Sequence, residues 1–123
     1  VGSEMCIRDR IKGSFKRTGS GRIVSFELTG HAEAGPYGSD VVCAAVSALA
    51  ISTVNGIDAL AGFEPIVEVD DVEGGYLYVE MLTTVNQEQK NIAQILLENL
   101  LLGLQSIENE NTEFIQIKTI TEK

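Results

Sequence analysis

Ile11-Lys12-Gly13-Ser14-Phe15-Lys16-Arg17-Thr18-Gly19-Ser20-Gly21-Arg22-Ile23-Val24-Ser25-Phe26-Glu27-Leu28-Thr29 carries two runs of period two around a turn. In the first, Ile11, Gly13 and Phe15 alternate with Lys12, Ser14 and Lys16; in the second, Val24, Phe26 and Leu28 alternate with Ser25, Glu27 and Thr29. Successive side chains of a strand point to opposite faces, so the pattern predicts two strands with one buried face each, Ile11 to Arg17 and Arg22 to Thr29. Thr18-Gly19-Ser20-Gly21 joins them as a hairpin.

Downstream, a Gly/Pro-rich loop from Gly30 to Ser39 leads into an apolar helix from about Asp40 to Ala61. Ser39 or Asp40 is its expected N-cap and Gly62 its stop, with Asn55 and Gly56 softening it near the end. Ile66 to Asp70 and Tyr76 to Leu82 read as a second strand pair around the acidic turn Asp71-Val72-Glu73-Gly74-Gly75. Asn86 or Gln87 opens a second helix running to about Asn109, and Phe114 to Ile120 closes the chain as a last strand. The order ββαββαβ predicts an α+β fold: an antiparallel or mixed sheet with two helices packed on it.

The second helix carries Ile92, Ile95, Leu96, Leu97, Leu100, Leu101, Leu102 and Leu104, more than one apolar stripe needs to dock on a sheet. Two outcomes account for the surplus: a homodimer with a second burial surface, or a helix central to the core.

A length of 123 residues suits one domain with a substantial core. Hydrophobic residues make up 44% and charged residues 22%, which marks an ordinary folded chain; no apolar run is expected to span a bilayer. The formal net charge of −9 would repel a phosphate backbone, so direct binding of nucleic acid is disfavoured. Cys6 and Cys43 form no C-x-x-C pair and are too few for a disulfide framework, which fits a cytoplasmic protein. Val1 to Arg10 follow no period and are expected to be a disordered or non-native extension, leaving 11–123 as the domain.

The chemistry concentrates between Gly30 and Ser47. The sole histidine, His31, follows the second strand, and Cys43 lies just inside the first helix. A helix start presents unpaired N–H groups and partial positive charge, both of which favour a thiolate. With a histidine to take the proton, such a thiol can ionise at a pKa of roughly 3.5–7.5 instead of about 8.5. Asp40, Cys43 and Ser47 share one side of the helix at spacings of three and four, while Ala44, Ala45, Ala48 and Ala50 are small enough for close packing beneath the site. Asp40 either orients His31 or caps the helix, and Ser47, one turn deeper, either hydrogen-bonds near the thiol or bonds back to its own helix. N–H groups around Asp40 to Cys43 are suited to hold an oxyanion.

Gly30, His31, Gly35, Gly38, Asp40, Val42, Cys43, Ala44, Ala45 and Ser47 match a pattern of G-H, spaced glycines, D-x-V-C-A-A and a serine. On these residues, and on the element order from Ile11 to Thr119, the chain resembles the ribosomal-processing cysteine protease family, Prp. The resemblance implies a homodimeric bacterial endopeptidase with Cys43 as nucleophile and His31 as base. Its substrate would be the precursor of a large-subunit ribosomal protein of the L27 type, from which a short N-terminal extension is removed. Gly35 and Gly38 would be hinges of a loop that covers the site until substrate opens it.

Other readings are weaker. One histidine and one motif cysteine leave a zinc site short of ligands, and Asp70, Asp71 and Glu73 lack calcium-loop spacing, so no metal or other cofactor is expected. A redox sensor would want a nearby resolving cysteine. A ribosome-associated module that holds a peptide without cutting it is the remaining alternative.

Overall fold

The computed structural model describes residues 11–30, 39–70 and 76–122. Strands β1 (Ile11–Arg17) and β2 (Ile23–Thr29) precede helix α1 (Ser39–Gly56), which continues as a π-helical turn over Ile57–Ala61. Then follow β3 (Ile66–Asp70), β4 (Tyr76–Glu80), α2 (Gln87–Glu110) and β5 (Ile115–Thr121). The expected order and α+β class hold, with boundary shifts: β2 begins at Ile23, β4 ends at Glu80, and Ser39 and Asp40 lie inside α1 instead of capping it.

The five strands lie in the order β3-β4-β2-β1-β5. β1 pairs antiparallel with β2, β2 with β4 and β4 with β3, while β5 runs parallel to β1, so the sheet is mixed. The register places Ile11, Phe15, Phe26, Leu28, Leu77, Val79 and Ile115 on one face, and all are buried. Phe15 and Phe26 sit opposite each other with ring centroids 5.3 Å apart. Gly13 sits among them under the tips of two side chains: a Cβ there would lie 2.6 Å from Ile117 Cδ1 and 2.9 Å from Leu28 Cδ2, so both would have to shift to admit a larger residue.

The hairpin departs from simple alternation at one point. Lys16 pairs with Ser25 but Arg17 pairs with Ile23, so Val24 is the extra residue of a β-bulge. The bulge turns Ile23 into the core alongside Phe26, and Ser25, which alternation places on the solvent side with Lys16 and Glu80, is buried as well. Gln94 of α2 secures it from the helix side: the Ile23 N–H donates to Gln94 Oε1 at 2.9 Å, and Gln94 Nε2 donates to the Ile23 carbonyl at 2.6 Å.

Helix α1 buries Val42, Val46, Ala50 and Ile57, and α2 buries Ala93, Leu97, Leu100, Leu101 and Leu104, in one core with the sheet. The π-helical turn begins after Gly56, where Asn55-Gly56 weakens the α-helix. It ends at Gly62, whose φ of 81° suits glycine and whose N–H donates to the Ile57 carbonyl. Two expectations for α1 need correction. Ala44 and Ala48 face outward with Val41 and Ile51 instead of lying against the sheet, because the buried stripe runs through Val42, Val46 and Ala50. Val41–Ala61 is also long and apolar enough to cross a membrane by length and composition, contrary to the first reading, although its inner face is part of the core.

Helix α2 starts with a reciprocal cap. Asn86 accepts from the Gln89 N–H, and the Gln89 side chain accepts from the Asn86 N–H. Gln89 Nε2 also donates to the Gly62 carbonyl at 3.2 Å, which ties the start of α2 to the end of α1. Farther along, Arg17 binds both carboxylate oxygens of Glu98, at 2.6 and 3.0 Å. The guanidinium holds the Glu98 carboxyl below its ordinary value near 4.5, so the pair stabilises the fold above that value and is lost as pH falls through the depressed one. Both groups are partly exposed, so Glu98→Gln is expected to cost about 0.5–1 kcal/mol at neutral pH and nothing in acid. Urea melts of both forms across that range check this; a constant difference down to acid pH contradicts it.

Candidate active site

Cys43 is the fifth residue of α1 and is buried, with 9% of its surface exposed. In an α-helix the Cα–Cβ bond tilts toward the N-terminus, so its sulfur leans back over the first turn. The first four N–H groups of a helix lack intrahelical partners, which makes this the most electropositive backbone near the thiol. Ser47 lies one turn deeper and half-buried, on the same side as Cys43. Asp40 is the second residue of α1. His31, Gly35 and Gly38 belong to residues 31–38, outside the described residues, as does Cys6. The structure therefore places Cys43 and Ser47 on one side of α1, with Cys43 nearer its start.

The sequence reading missed a neighbouring surface. Val67 and Val69 of β3 pair with Val79 and Leu77 of β4, so all four share the helix-side face of the sheet. Leu77 and Val79 are buried, but Val67 and Val69 are 39% and 63% exposed because β3 is an outer strand. The alternation of Val67 and Val69 with Glu68 and Asp70 was the available signal, and it reads the same for a covered strand as for an uncovered one. Since β3 runs parallel to β2, both strands finish at the same end of the sheet, the end from which the chain passes toward α1. On the opposite face, the Tyr76 hydroxyl donates to Glu27 at 2.8 Å, and this bond pushes its pKa up to about 12. Tyr76 thus stays protonated at neutral pH and is no base. Among the described residues, no group of three or more His, Cys, Asp or Glu is placed to hold a metal ion.

The family model for cysteine protease Prp matches residues 10–116. The ribosomal processing cysteine protease Prp of Bacillus subtilis is 36% identical over 109 residues, which cover 89% of this chain and 96% of that protein. Among solved structures, a crystal structure of SMU.848 from Streptococcus mutans superposes with a TM-score of 0.86 at 36% identity, covering 96% of this chain and 100% of the other. A Staphylococcus aureus Prp, in complex with a substrate peptide, superposes with a TM-score of 0.78 at 29% identity, covering 89% and 98%. A mixed five-stranded sheet with a buried thiol at a helix start is, in this company, the fold of a cysteine protease. The chain belongs to the Prp family.

Proposed function

We propose that this chain is a Cys-His endopeptidase that removes the N-terminal extension of a large-subunit ribosomal protein of the L27 type during ribosome maturation. The observation that carries the reading is the position of Cys43: buried at the start of α1, inside the Gly30 to Ser47 motif, in a chain of this family. His31 takes the proton from Cys43 Sγ, and the thiolate attacks the scissile carbonyl. The tetrahedral oxyanion is held by N–H groups at the helix start. The C–N bond breaks as His31 hands its proton to the leaving amine, leaving a thioester on Cys43. Water, deprotonated by His31, then cleaves the thioester and restores the thiol.

The S. aureus relative has been crystallised with a covalently linked product peptide, which supports an enzyme-bound intermediate of this kind. Asp40, in the first turn of α1, would orient His31, Ser47 would steady the thiol, and Gly35 and Gly38 would let the covering loop open. Val67 and Val69 offer apolar surface for an extended peptide, and a chain of net charge −9 would attract a basic ribosomal protein. Incubating the protein with the extended ribosomal protein and weighing the products by mass spectrometry tests the reading. Two fragments from a single cut near the N-terminus are expected; binding without any cut would make the protein a peptide-holding module instead.

The same proposal includes a cytoplasmic homodimer. Ile95 and Leu102 of α2 are 69% and 63% exposed while their neighbours fill the core, which leaves the apolar surplus of this helix on the surface. Sedimentation equilibrium is expected to return twice the chain mass at micromolar concentration, and a monomer there would remove this part of the reading.

A further inference from the structure

A cavity of about 460 Å³, within the usual size of small-ligand sites, opens at the other pole of the molecule. Phe63 lines it, just beyond the Gly62 stop, and α1 with its π-helical turn runs about 27 Å from Cys43 to Ala61 at 1.5 Å per residue. The pocket is therefore not the thiol site. Its walls include Ile23, Phe63, Met81 and Val85, an apolar lining with a ring and a thioether suited to an aromatic body.

The charges around the cavity are unevenly satisfied. Its two lining acids are already engaged: Glu80 accepts the Tyr78 hydroxyl at 2.6 Å, and Glu122 meets Lys16 at 3.3 Å. Gln94 is occupied by the Ile23 backbone. Arg22 and Lys90 also line the cavity, both half-buried, and neither forms an ion pair among the described residues. Lys90 sits in the first turn of α2, where the helix dipole adds positive potential. With Lys16 paired to Glu122, the lining keeps Arg22 and Lys90 against the single carboxylate of Glu80, a positive excess that makes this cavity a local exception in a chain of net charge −9.

We infer that the cavity binds a small aromatic anion, an aryl phosphate or carboxylate, with its ring against Phe63, Met81 and Val85 and its head held by Arg22 and Lys90. The site is independent of whether His31 and Cys43 cleave peptides. Titrating the intact protein with naphthyl phosphate by amide NMR tests it, with naphthol and inorganic phosphate as comparators. Saturable shifts are expected at Ile23, Val24, Ala93 and Gln94 and not at Ala44 to Ser47, with both comparators at least about tenfold weaker. The double variant Arg22→Gln, Lys90→Gln should lose about tenfold or more for naphthyl phosphate and leave naphthol binding unchanged. Shifts centred elsewhere, naphthol binding as tightly, undiminished affinity in the double variant, or no saturation by about 10 mM would each overturn the inference.

Discussion

Cys43→Ala is expected to reduce cleavage of an extended ribosomal protein by about 10⁴-fold or more while leaving the protein folded. In the proposed mechanism the substitution removes the atom that forms the thioester, and Ser47, a full turn deeper in α1, is not positioned to replace it. The substitution is small and at the edge of the core, where Cys43 keeps 9% exposure, so melting should shift little. His31→Ala should fall by a similar factor, because a nucleophile and its base act as one unit and their losses do not add. Product formation followed by mass spectrometry, beside a thermal melt of each variant, separates lost chemistry from lost structure. Cleavage at wild-type rate by a folded Cys43→Ala protein would end the assignment of this residue as nucleophile.

The second large effect concerns stability. Phe15 is fully buried, stacks on Phe26 and lies at the centre of the sheet between β2 and β5. Phe15→Ala is expected to destabilise the fold by about 3–5 kcal/mol, from lost transfer energy together with the void left between two helices and a sheet that cannot fully collapse. Val69→Ala on outer strand β3, at 63% exposure, should stay within about 0.5 kcal/mol. Urea unfolding gives both, as a fall in midpoint at constant slope. Comparable losses at the two positions would mean that burial is misassigned on one of them.

Much of the architecture can be read from local pattern, because local physics made it. The period of two in Ile11 to Arg17, the Asn86 to Gln89 cap and the Gly62 stop each depend on a few adjacent residues, and each is where the pattern puts it. What escaped depends on distant partners. Nothing near Val24 announces a bulge, since alternation is valid on either side of it and only the pairing with β1 shows the extra residue. Val67 and Val69 alternate as a covered strand does, and their exposure follows from where the helices lie. Ala44 and Ala48 are small in a way that suits either side of a helix; the stripe of Val42, Val46 and Ala50 decides which side is inner. At the site, the glycine-rich approach and the apolar run after it placed Cys43 at a helix start from sequence alone. Where His31 lies relative to it belongs to a stretch outside the described residues.

The parallel pairing of β1 with β5 joins the first strand of the fold to its last. Every other strand and both helices are made between the two, so β1 keeps one edge unpaired until β5 emerges. The sheet is therefore closed by its most distant pairing, and without β5 the outer edge of β1 would be left bare.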